Sequence, residues 1–146
     1  MTLTLFAHLM AAVVMDFREM RISNRLIASG LYWGLAFRIM GEGCAGIVHF
    51  LVNISIPVIF LFLFFQLRAL GAGDIKLFSV VGAFVTIRQL EYVIVSAFLA
   101  ACAIGIVKMV QEKGIFGFFG RKKTFLHFSA SILIGYLITI WRWSIA

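Results

Sequence analysis

Apolar runs broken by charged or glycine-rich stretches divide the chain into six segments, at about 3–20, 26–40, 44–67, 74–87, 90–110 and 125–141. A bilayer core of about 30 Å needs roughly 20 helical residues to cross it. The third, fifth and sixth segments therefore suffice by themselves. The second and fourth are short enough to be tilted, to thin the membrane locally or to be partly re-entrant. A strand of a transmembrane barrel alternates apolar and polar positions over about ten residues, whereas the stretch 56–65 (IPVIFLFLFF) is apolar on all sides. The pattern predicts an all-α, polytopic transmembrane bundle of about six helices, forming one membrane-embedded domain over 1–146. Four full spans with two partial ones is the alternative count. Pro57, the single proline, predicts a kink in the third segment.

Composition narrows the class. Of 146 residues, 63% are hydrophobic and 13% charged, and the mean hydropathy is +1.08. Soluble domains carry about 45–50% apolar and about 25% charged residues, so a soluble globule lacks the polar surface it needs and a disordered chain is excluded outright. Cys44 and Cys102 are too few for a disulfide framework or an unaided zinc site; both are read as buried packing residues. The first basic residue, Arg18, follows the first apolar run, which is not the order of a cleavable signal peptide.

The net charge of +7 has a membrane explanation and needs no nucleic acid. Placing the breaks after segments one, three and five on one side collects ten of the thirteen basic residues there, leaving Arg38, Arg88 and Arg142 on the other. Positive loops stay cytoplasmic, so both termini are expected outside, with Trp141 and Trp143 at the outer interface. The basic, phenylalanine-rich stretch 111–124 is expected to rest on anionic headgroups.

Only two aspartates occur, Asp16 and Asp74, each at the inner end of an apolar segment. Carboxylates beside a membrane core are costly and mark functional sites. Two of them at one face suit aspartic-protease chemistry, in which one carboxylate deprotonates water while its protonated partner polarises a carbonyl. Taken alone they suit a proton or cation relay of a small transporter subunit equally well. Neither use needs a metal or cofactor, and His8, His49 and His127 fall on three different segments, without metal-site spacing.

Asp74 stands in Gly71-Ala72-Gly73-Asp74-Ile75-Lys76-Leu77, where the glycines permit close approach and positive φ. Asp16 opens Asp16-Phe17-Arg18-Glu19-Met20-Arg21-Ile22-Ser23-Asn24. Together these stretches resemble the type IV prepilin peptidases, membrane aspartic peptidases of the GxGD type. Asp16, Arg21, Ile22 and Asn24 match that family's first motif, and Gly71, Gly73, Asp74, Lys76 and Leu77 its second. Ser23 replaces the family's usual proline, and a proline-aromatic-glycine motif of its last helix is missing, with His127, Phe128 and Ser129 near that place.

The resemblance implies an endopeptidase that cuts the short basic leader from prepilin or pilin-like precursors, in a bacterial or archaeal cytoplasmic membrane. Asp16 and Asp74 would be the catalytic pair near the cytoplasmic face. Gly71 and Gly73 would shape the approach of substrate, Lys76 and Arg21 would neutralise local charge or bind headgroups, and Asn24 would cap or orient the turn. The form resembled is the compact one of Flp/Tad-like systems, expected to cut and not to methylate. The partners implied are the precursor and membrane lipids, with a homo-oligomer left open.

Overall fold

A computed structural model describes residues 1–67, 70–111 and 128–145. They form six helices: α1 (Thr2–Glu19), α2 (Asn24–Glu42), α3 (Ala45–Gln66), α4 (Ala72–Phe84), α5 (Ile87–Gln111) and α6 (Phe128–Ile145). The all-helical bundle expected from the sequence is what the chain builds. Among the described residues, three helices are long and apolar enough to cross a membrane: α3, α5 over Ile87–Val107, and α6. This is a membrane protein. Arg68, the basic stretch 111–124 beyond its first residue, and His127 lie outside the described residues.

The reversals are made by local chemistry. α1 stops where Met20 adopts a left-handed conformation (φ 51°, ψ 26°) and returns its N–H to the Asp16 carbonyl at 3.0 Å. Ser23 then caps α2, its hydroxyl accepting the Arg25 N–H at 3.2 Å. α2 ends at Gly43 in the left-handed half of conformational space (φ 61°), which glycine enters freely.

α4 is the axis of the bundle. Its residues from Leu77 to Phe84 are all buried, and a helix apolar all round belongs inside. α1, α2, α3, α5 and α6 each pack against it. Glycines let these backbones come close: a Cβ on Gly34 of α2 would lie 2.5 Å from the Ala83 Cβ, and one on Gly82 would lie 2.4 Å from the Asn53 carbonyl oxygen. That carbonyl faces the ring of the buried Pro57 four residues on, which has no N–H to offer it. Proline and glycine are thus matched across the α3–α4 contact, and α3 continues through Pro57 as one helix.

The end of α4 away from the aspartates is closed by side chains. Buried Arg38 donates through Nε to the Ala83 carbonyl at 3.3 Å and through Nη2 to the Val85 carbonyl at 2.6 Å. Asn53 Nδ2 adds a second bond to Val85 at 2.9 Å. The remaining Arg38 nitrogen pairs with Glu42 at 2.6 Å, and Glu42 meets His49. Hydrogen bonds from His49 and then Arg38 hold the Glu42 carboxyl below its usual range.

Exposed side chains of α3 include Val48, Leu51, Ile59, Phe60 and Leu63, a surface suited to lipid. Cys44 and Cys102 are exposed free thiols, not the buried packing residues expected. In a bundle whose outer face is apolar, a small apolar side chain is as well placed outside as within.

Candidate active site

Asp16 sits in the last turn of α1 and Asp74 in the first turn of α4. Both are half-buried, and the charge on Asp16 acts on Asp74. Two segments far apart in sequence thus bring their carboxylates to the same end of the bundle, within electrostatic reach of one another. Burial, and next the charge on Asp16, push the Asp74 carboxyl up to about 6, against the opposing effect of a backbone N–H. That N–H belongs to Gly71, 3.3 Å from Asp74 Oδ2.

The glycines of the second motif act differently from expectation. Gly71 is extended (φ −79°, ψ 149°), and the positive-φ glycine among the described residues is Gly43. What Gly71 supplies is room: a Cβ there would lie 3.1 Å from Asp74 Oδ2 and crowd the carboxylate. A Cβ on Gly73 would make ordinary contact with Ile22, at 3.6 Å or more. Ile22 of the first motif is thereby seated against the second.

The polar residues of the motifs are joined to each other. Lys76 Nζ donates to Asn24 Oδ1 at 3.0 Å, tying α4 to the start of α2. Ser23, and not Asn24, caps that helix. Arg21 is exposed in the reversal between α1 and α2.

Sequence reasoning gave Ser129 no role. It lies in the first turn of α6, is fully buried and donates through Oγ to Asp16 Oδ2 at 2.5 Å. The available signal was a small polar residue inside an apolar run, Phe128-Ser129-Ala130-Ser131. Ser131 is buried as well, and its hydroxyl has no partner among the described residues.

The two described histidines, His8 and His49, serve elsewhere. His8 shares Nδ1 with the Thr4 carbonyl at 2.9 Å and Nε2 with Ser29 Oγ at 3.3 Å, and His49 is at the Glu42 end. Among the described residues no three His, Cys, Asp or Glu side chains converge on a point that could hold a metal ion. What remains at the site is a pair of carboxylates, one of them able to carry a proton near neutrality.

The sequence model of the type IV leader peptidase family matches residues 3–109. That interval contains both aspartates and ends before α6. No curated protein and no solved structure matches the chain significantly.

Proposed function

The chain belongs to the type IV leader peptidase family, and from that premise we propose that it is an aspartic endopeptidase cutting the leader from prepilin or pilin-like membrane precursors. The observation that carries this reading is that Asp16 and Asp74 lie at the same end of the bundle, near enough that the charge on Asp16, after burial, helps to raise Asp74 to about 6. Two carboxyls that share one proton form an acid and a base at once. The ionised one takes a proton from water, and the protonated one polarises the scissile carbonyl. No metal is called for. The leader would approach from the side where Arg18, Arg21, Arg25 and Lys76 lie, the cytoplasmic side by the positive-inside rule.

Co-expression with a glycine-leader prepilin tests the reading. Asp16→Asn, Asp74→Asn and the double variant, each inserted at normal levels, should leave the precursor uncut, a loss of roughly 10³-fold or more. Because the two groups act as one unit, the double variant should be scarcely worse than either single. Near-normal processing by either single variant would return weight to a proton relay.

A further inference from the structure

Ser129 belongs to neither aspartate motif and lies beyond the segment matched by the family, yet it commits its hydroxyl to Asp16. We propose that Ser129 is a positioning residue that keeps Asp16 the ionised member of the pair, making Asp16 the base toward water and Asp74 the acid toward the carbonyl. The assignment of roles rests on the peptidase reading above; the coupling of Ser129 to Asp16 does not.

Two observations support it. The Ser129 hydroxyl donates to Asp16 Oδ2, and 2.5 Å lies within the range of charge-assisted O–H···O⁻ bonds, which favour the ionised acceptor. Ser129 is 0% exposed, so its hydroxyl is held in place by packing.

Asp74 is placed the other way. Its donor is a single backbone N–H at the longer distance of 3.3 Å, and it is half-buried within reach of the Asp16 carboxyl. Neighbouring carboxyls resist ionising together, so the one with the stronger hydrogen-bond donor keeps the charge and the other keeps the proton.

Among the described residues the surrounding charges leave this contrast in place. α4 presents Asp74 to Asp16, while its Lys76 is turned to Asn24. Arg18 and Glu19 on α1, Arg21 in the reversal and Arg25 on α2 are exposed, where solvent screens them. The first four residues of α6, Phe128 to Ser131, include no ionisable side chain.

The protons balance. Asp16 takes one from water as the oxygen bonds to the carbonyl carbon, and the carbonyl oxygen takes the proton of Asp74. When the C–N bond breaks, the departing nitrogen takes the proton held by Asp16. The new carboxyl group returns one to Asp74. One water is consumed and both side chains are restored.

The test uses the full chain in lipid nanodiscs with Ser129→Ala and Ser129→Thr, the second keeping a hydroxyl. Cleavage is followed across pH, and the infrared band that Asp16→Asn removes is titrated in parallel. Ser129→Ala should lower kcat about 10–100-fold with little change in KM. It should move the acid limb of the pH–rate profile upward by about half a pH unit or more, and the Asp16 band with it. Ser129→Thr should recover both. An unmoved limb and band, with equal loss at every pH, would reduce Ser129 to packing and overturn the proposal. Should the unmodified protein cut no precursor, the peptidase reading falls and the infrared titration alone decides whether Ser129 governs Asp16.

Discussion

Lys76 reaches across from α4 and donates a 3.0 Å hydrogen bond to Asn24, the first residue of α2. The bond joins the two motifs through residues that do not themselves face the aspartates. Its energetic weight is bounded by exposure, since both side chains are exposed and such charged contacts contribute about 1 kcal/mol or less.

Lys76→Met and Asn24→Ala should each lower the melting temperature slightly and leave cleavage within a few-fold of the unmodified protein. The double variant should melt close to the singles, because both remove one bond. Additive losses in the double variant would show that each residue has a separate partner. A collapse of activity at unchanged stability would place Lys76 in the chemistry.

Asp74 should make both activity and stability depend on pH. Its folded value of about 6 lies above the ordinary 3.8, so the native state binds more protons than the unfolded state between those values. Stability therefore falls as pH rises through that window, by on the order of 1–3 kcal/mol. Melts in detergent from pH 3.5 to 7 should show this decline, and Asp74→Asn should flatten it. Activity should fall as pH rises above about 6, with apparent values that belong to the pair. A stability curve that Asp74→Asn leaves unaltered would contradict the burial of that carboxyl.

Gly71→Ala should cost activity more than stability, because its Cβ would press on Asp74 Oδ2 from 3.1 Å. A fall of about tenfold in kcat with a nearly unchanged melting temperature is expected, as a catalytic group is displaced by a fraction of an ångström. Gly34→Val is the converse case. A side chain there would meet Ala83 at 2.5 Å, and the overpacked protein should be destabilised by about 1–3 kcal/mol or more. Equal melting temperatures for these two variants would refute the distinction.

Arg38→Met should destabilise by about 2–4 kcal/mol, since the Ala83 and Val85 carbonyls lose a charged donor in a buried place. Lysine should not rescue, having no fork with which to reach two carbonyls and Glu42 together. Thermal melts and the yield of inserted protein read this out. A stable Arg38→Met protein would mean that Asn53 alone satisfies the end of α4.

Sidedness can be measured with cysteines placed singly at Arg21 and Arg142 in a background carrying Cys44→Ser and Cys102→Ser. The first should label only from the cytoplasmic side and the second only from outside. Both positions are exposed and lie at opposite ends of the bundle. Labelling of position 21 in intact cells would reverse the orientation.

Much of the architecture was legible because membrane helices advertise themselves by length. Segments 44–67, 90–110 and 125–141 became α3, α5 and α6, and the scarcity of aspartate drew attention to Asp16 and Asp74 before any geometry was known. Ser129 was not legible. Its bond to Asp16 spans 113 residues and exists only because α6 packs beside α1, an adjacency that no local pattern records. Arg38 was legible only as a charge on the side away from the basic loops; its burial against the carbonyls at the end of α4 depends on how α2 lies against that helix. The cysteines misled because burial and apolarity part company where the solvent is lipid.

The length of α4 has a consequence for how a substrate is measured. Thirteen residues span about 20 Å, some 10 Å less than a bilayer core. If the far end of α4 is level with the ends of the spanning helices around it, Asp74 lies recessed beneath the opposite headgroups. A precursor helix standing alongside would then present its cut site at a fixed depth, and the protein would act as a ruler, choosing the bond by distance along the membrane normal as well as by sequence. Lengthening the apolar segment of the precursor by one helical turn, or the acyl chains of the host lipid, should shift or suppress cleavage; indifference to both would show that depth is not read.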